Sequence, residues 1–297
     1  MYETSMPAIL AVNPCEKIVS LLHDGHDRVI HAAIYALAKL AWWPEGAQAV
    51  ISANALAHLS KLLKSSNQGI RRQSCTPVGR LAIHDTSVPA ILAVMPFERM
   101  VSILQAIYAL ANLSRSSAGA QAVVAANALT HLSKLLDSSY ANTRMCSCDL
   151  IGNLAIHETM PAILEVIPFE KMVSLLHDGH DQVIHAAIYA LAKLAWWPEG
   201  AQTVITANTL AHLSRLLESS NANIRRWSCD LVGILAIHDT SAPAILAVMP
   251  FERMLSLLYD GNDSVIRAAK DALANVAQWP EAADIRGWLQ QRITPQP

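Results

Sequence analysis

Three histidines and two aspartates crowd together near the start of the chain: His23, Asp24, His26, Asp27 and His31. Imidazole nitrogens and carboxylate oxygens at that density are donors of the kind that hold zinc, and a zinc-bound water could be turned to hydrolysis. The pattern returns at His177, Asp178, His180, Asp181 and His185, but the corresponding stretch "YDGNDSVIR" (259–267) has no histidine at all. A ligand set that can be dropped from one copy reads better as a solvated turn than as a metal centre. The rival reading is a metal-dependent enzyme built on these His-Asp turns. Five cysteines (Cys15, Cys75, Cys146, Cys148 and Cys229) raise the other chemical possibility, a nucleophile, which would need a base beside it in a pocket. Cys75, Cys148 and Cys229 instead recur at equivalent places, as small core residues do, so neither catalytic residues, nor a metal, nor a cofactor is expected.

The elements that position these residues follow from repetition. "HDGHDRVIHAAIYALAKLAWWPEGAQAV" (23–50) and "HDGHDQVIHAAIYALAKLAWWPEGAQTV" (177–204) differ at two of 28 positions. The phrase "PAILAV" begins at Pro7, Pro89, Pro161 (as "PAILEV") and Pro243, at intervals of 82, 72 and 82 residues. Between these copies lie "ALAHLSKLL", "ALTHLSKLL" and "TLAHLSRLL", each followed by "SS" and a "LAIH" ending, so a unit of 82 holds two related halves. Each half reads as two short helices and one long one. In the first, the spacing predicts a helix over 7–13, a second opened by Pro14, a turn at "HDGHD", and a third helix from Val29 to about Trp42, capped by Asp27. Pro44 then opens the next half. Units that cannot bury an apolar face alone must stack, which predicts an all-α solenoid.

Two places break the rule. "MVSILQAIYALANL" stands where a later copy has "MVSLLHDGHDQVIHAAIYALAKL", so nine residues are missing near Gln105; either one fused helix or a locally disordered junction is expected there. Pro77 falls inside a third helix and should kink it. Trp42–Trp43 and Trp196–Trp197 end third helices just before Pro-Glu and are expected to pack at the ridge between repeats.

"GAQAVISANALAHLSKLL" (46–63) resembles the first two helices of an armadillo repeat, and "IHAAIYALAKLA" (30–41) resembles its long third helix. The resemblance covers nearly the whole chain. It implies a single right-handed solenoid of about seven repeats, at 5–43, 44–86, 87–116 (truncated), 117–159, 160–197, 198–240 and 241–279, with a more polar C-terminal cap at 280–297. It also assigns a concave wall to the third helices. In importin-α-like nuclear transport adaptors that wall carries Trp and Asn four residues apart, on one helical face. Here the tryptophan place holds Tyr35, Thr76, Tyr108, Asp149, Tyr189, Asp230 and Asp271, and the asparagine place holds Lys39, Arg80, Asn112, Asn153, Lys193, Ile234 and Asn275. No tryptophan matches, and three cationic side chains would repel a basic localisation peptide.

Composition sets the remaining bounds. The chain is 53% hydrophobic, with 22 basic against 24 acidic residues, so no nucleic-acid partner is expected. The uncharged runs 100–114 and 116–133 fall short of the roughly 20 apolar residues that cross a bilayer. "MYETSMPAIL" lacks the features of a signal peptide, and an odd number of cysteines suits reduced thiols, so a cytoplasmic and possibly nuclear location is expected. The resulting expectation is a non-catalytic scaffold or adaptor that holds an extended, mixed-charge peptide segment of a partner protein. The groove residues would be Tyr35, Lys39, Arg80, Tyr108, Asn112, Asp149, Asn153, Tyr189, Lys193, Asp230, Asp271 and Asn275. In general type this is similar to the fungal vacuolar armadillo adaptors, with an importin-α-like adaptor of atypical specificity or a weakly functional duplicated copy as alternatives. The first repeat has no polar cap and could pair with another chain.

Overall fold

The computed structural model of the chain describes residues 6–12, 14–101, 103 and 106–293. Among them every regular element is helical. Contacts divide the chain into two compact units, Met1–Leu135 and Leu136–Pro297.

In the first unit the helices come in threes. Met6–Ala11 and Pro14–Ser20 precede Asp27–Leu40; Pro44–Ser52 and Ala55–Leu62 precede Gln68–Leu81; Val88–Val94 and Phe97–Val101 precede the short Ile107–Leu113; and Ser117–Ala125 and Ala128–Leu135 follow. Proline stands at the first position of two of these helices, Pro14–Ser20 and Pro44–Ser52, where its missing N–H leaves no bond unmade. Asn54 and Asn127 take left-handed backbone angles, φ 56° and 58°, and so turn the chain from one short helix into the next. Few side chains other than glycine adopt that conformation readily, and Asn is the commonest of them. The long helices pack in series, Asp27–Leu40 on Gln68–Leu81 and that on Ile107–Leu113.

The second unit opens with the long helix Ala141–Ala155. Met160–Val166 and Phe169–Ser174 precede Asp181–Leu194; Pro198–Thr206 and Thr209–Leu216 precede Ala222–Leu235; and Ala242–Val248 and Phe251–Ser256 precede Asp263–Val276. Its four long helices again pack in series. A final helix, Ala283–Ile293, swings Arg286 back so that its guanidinium donates to the carbonyls of Ala277, Trp279 and Pro280. The arginine thus ties the final helix to the turn that follows the last long helix, Asp263–Val276.

Two kinds of polar joint occur within the units. Where an odd-numbered repeat meets the following even one, an Asn amide donates to an Asp: Asn67 Nδ2 to Asp27 (2.6 Å), and Asn221 Nδ2 to Asp181 (3.1 Å). The same joints pair His23 with His58 (2.5 Å) and His177 with His212 (2.6 Å). Where the fourth repeat meets the fifth and the sixth meets the seventh, an arginine grips an aspartate through both Nε and Nη2: Arg144 on Asp178, and Arg225 on Asp260.

The structure corrects several expectations. Asp27 is the first residue of its helix rather than its cap; His26 precedes it, and the Asp27 carboxylate is taken by Asn67. Pro77, where a kink is expected, lies buried inside a helix that spans Gln68 to Leu81. Around the deletion Phe97–Val101 and Ile107–Leu113 are separate helices, with Ile103 N–H donating to the Met100 carbonyl and Ala106 N–H to that of Ile103. The junction expectation otherwise falls on residues 102, 104 and 105, which lie outside the described residues. The tryptophan pairs split: Trp42 and Trp196 are 53% and 54% exposed, while Trp197 is half-buried and donates its indole N–H to the Ala155 carbonyl. No single helix among the described residues is long and apolar enough to cross a membrane.

Glycine is required where backbones cross. A Cβ on Gly200 would lie 2.1 Å from the Leu194 carbonyl oxygen, and one on Gly152 would lie 2.8 Å from the Tyr189 ring. The first lets a long helix hand over to the next short one. The second seats a tyrosine of the wall.

Candidate functional site

The clustered histidines disperse to separate partners. His23 pairs with His58, His26 with Asp24 (3.1 Å), and His31 Nδ1 with Gln73 Oε1 (2.5 Å). The later copy does the same at His177 and His180. No group of three or more His, Cys, Asp or Glu side chains that could hold a metal ion occurs among the described residues. All five cysteines are buried free thiols, and burial pushes Cys75 and Cys229 up to about 12 and Cys146 up to about 11. A thiol held that high does not supply a thiolate nucleophile at neutral pH.

On the long helices the residues expected to line a groove differ in chemistry between the units. In the first unit Tyr35 is 61% exposed, with the Lys39 ammonium 5.2 Å from its ring centre. One repeat on, Arg80 donates to the Ala38 carbonyl at 2.8 Å and lies 5.2 Å from the centre of the Trp42 ring. Tyr108, 40% exposed, rests where a Cβ on Gly79 would meet it, and Asn112 Nδ2 donates to the Gly79 carbonyl at 2.9 Å. Arg80 and Asn112 are thus each held by a backbone carbonyl of the long helix before theirs. The row carries two cations, Lys39 and Arg80, and no acid.

In the second unit the row is acidic. Asp149 is largely buried, and burial raises its carboxyl to about 6. Burial also raises Asp230, against the pull of the Arg226 guanidinium 3.4 Å away. Asp271 is exposed on the next helix, where Asn275 Nδ2 donates to the Gly233 carbonyl at 2.9 Å. Between these acids sits an aromatic corner. Tyr189 donates its hydroxyl to Asn153 Oδ1 at 3.2 Å and meets Trp227 edge to face, ring centres 5.1 Å apart. Lys193 stands 5.4 Å from the Tyr189 ring centre and 5.7 Å from that of Trp227, with Arg226 at 5.1 Å from Trp227. His185 completes the corner at 6.3 Å, and burial, then Arg226, lowers its basicity. Such a surface offers ring faces to cations and carboxylates to amines or guanidinium groups.

Trp227, Arg226 and His185 were not on the expected row. Trp227 has Gln73 and Cys146 as its counterparts, so repetition gives no sign of it. Its place three residues before Asp230, one helical turn away, was the available signal.

A family model described as Armadillo/beta-catenin-like repeat matches residues 44–82. No curated protein matches the sequence. Among solved structures, an engineered protein from a structural genomics consortium is similar at TM-score 0.89 and 26% identity, over 100% of this chain and 78% of that one. A designed armadillo repeat protein in complex with the peptide (KR)4 is similar at TM-score 0.61 and 21% identity, over 88% of this chain and 99% of that one. Computationally designed armadillo repeat proteins for modular peptide recognition give TM-score 0.59 at 21% identity, over 88% and 99%. The family match spans residues 44–82, one repeat, and the architecture shared with these structures gives the chain the fold of an armadillo-repeat solenoid.

Proposed function

We propose that this chain is a non-catalytic scaffold whose long-helix rows hold extended peptide segments of a partner protein, each unit reading its own stretch. The observation that carries this is the division of charge. Lys39 and Arg80 with Tyr35 and Tyr108 suit a segment bearing carboxylates, whereas Asp149, Asp230 and Asp271 around the Tyr189–Trp227 corner suit one bearing amines or guanidinium groups. A partner segment of mixed charge meets both demands. The similar designed protein that holds (KR)4 supports peptide as the ligand class. Five buried free thiols suit a reducing compartment, the cytoplasm or nucleus.

The test is fluorescence anisotropy with labelled extended peptides that carry lysine and glutamate in separate blocks. Asp149→Asn with Asp230→Asn should weaken binding through the lysine block, and Lys39→Ala with Arg80→Ala through the glutamate block, each by about tenfold. Binding that neither pair of changes alters, in proteins that remain helical by circular dichroism, rejects the reading.

A further inference from the structure

The even-to-odd joints contain a comparison within one molecule. Arg71, Arg144 and Arg225 occupy equivalent places near the start of three long helices. All three are anchored alike. Arg71 Nη1 donates to the Ser65 and Ser66 carbonyls (2.7 and 2.9 Å), Arg144 Nη1 to Ser138 (2.6 Å), and Arg225 Nη1 to Ser219 and Ser220 (2.7 and 3.1 Å). Behind each lies the same turn, in which a serine hydroxyl accepts the N–H two residues on, at 3.2 Å in every copy.

The copies differ in what meets the other edge of the guanidinium. In Arg144 and Arg225, Nε and Nη2 close on the two oxygens of Asp178 and Asp260 at 2.7 to 2.9 Å, in nearly buried pairs. Those aspartates belong to the "HDGHD" and "YDGND" turns of the following repeat. The repeat after Arg71 is the one that lost nine residues, and the counterpart of that turn is among them. Among the described residues no carboxylate lies within ion-pair distance of Arg71. The deletion removed the aspartate and kept the anchor.

We propose that Arg71 is a preorganised receptor for one carboxylate, and that its occupant is an aspartate or glutamate side chain on a turn of a partner protein. With Nη1 held by the Ser65 and Ser66 carbonyls, the Nε and Nη2 edge matches a carboxylate in two-point geometry, the strongest common form of this pairing, and the fixed fork loses little freedom on binding. Asp178 and Asp260 show the geometry the ligand takes: an aspartate at the start of a tight turn whose Oδ1, which accepts from Nη2, also accepts a backbone N–H two residues on, His180 N to Asp178 and Asn262 N to Asp260, both at 2.9 Å. This site lies apart from the Tyr35–Arg80 row, so the two readings stand or fall separately.

The test is NMR of the arginine Nε–Hε groups in the full chain, with Arg71 assigned from an Arg71→Lys variant. The probe is a peptide copying residues 175–183, with Asp178 retained or replaced by asparagine. Without ligand, Arg71 Hε should exchange with water faster than Hε of Arg144 and Arg225, whose hydrogens are held by aspartates. Addition of the aspartate peptide at millimolar concentration should shift and slow only Arg71. The asparagine peptide should bind about tenfold more weakly, and Arg71→Lys, which keeps the charge and loses the fork, should abolish the difference between the two peptides. Slow Arg71 exchange before any addition, or no difference between the peptides, overturns the proposal. An equal shift with acetate at the same concentration overturns the peptide occupant.

Discussion

Arg225 and Asp260 face each other across a repeat joint as two parallel hydrogen bonds, Nε to Oδ2 at 2.7 Å and Nη2 to Oδ1 at 2.8 Å. The Arg225 hydrogen bond holds the Asp260 carboxyl below its usual range against the opposing effect of burial. A depressed folded-state value makes the pair's stabilisation present above the ordinary aspartate range and lost as pH falls through the depressed one. Asp260→Asn should therefore cost about 3 kcal/mol at neutral pH, since it strands a nearly buried guanidinium, and the loss should shrink on acidification. Urea denaturation at a series of pH values measures this; a pH-independent loss would contradict it.

Asp149 behaves with the opposite sign. Its carboxyl, raised by burial to about 6, stays protonated in the folded chain at pH values where the unfolded chain has released the proton. The associated stability is complete below pH 3.8 and is lost as pH rises through 6. Asp149→Asn should flatten that limb and stabilise the protein by about 1–2 kcal/mol at pH 7. A thermal melt series over that range reads it directly.

Pro77 sits where the equivalent helices have the fully buried Leu150 and Leu231. Proline in a helix interior removes one backbone donor and crowds the preceding turn, at about 3 kcal/mol. Pro77→Leu should raise the melting temperature of the cooperative unit that contains it by several degrees, by differential scanning calorimetry. A lower value would mean that the surrounding helices have adapted to the ring.

Tyr189 and Trp227 form an edge-to-face pair that also supports Lys193. A double-mutant cycle on Tyr189→Leu and Trp227→Leu should give a coupling of about 1 kcal/mol. Additive single changes would show that the rings are neighbours without mutual stabilisation.

Much of this architecture was legible in the sequence because each repeat restates it. Pro44, the "SANAL" and "TANTL" turns and the leucines of "ALAHLSKLL" are constraints of local backbone and core packing, and these recur by necessity. The rows on the long helices were legible as positions: Tyr35 with Lys39, and Tyr189 with Lys193, sit together one turn apart. What repetition hides is whatever occurs once or depends on the neighbour. Trp227 is unique to its copy, and the burial that raises Asp149 comes from packing around it that no single repeat spells out. Asp27 misled for the same reason: a carboxylate beside a helix start suggests a cap, but an amide forty residues on, Asn67, competes for it successfully. The histidines looked like a site because proximity in sequence is not convergence in space.

The two kinds of joint set a rule of adjacency. An edge that presents asparagine and histidine meets one that presents aspartate and histidine; an edge that presents arginine meets one that presents a turn aspartate. Copying one repeat would set two edges of the same kind against each other, whereas copying a pair restores every match. The smallest piece that can be added, removed or exchanged without a polar mismatch is therefore the two-repeat block, and lengthening or shortening this chain by such blocks is the edit its own interfaces tolerate.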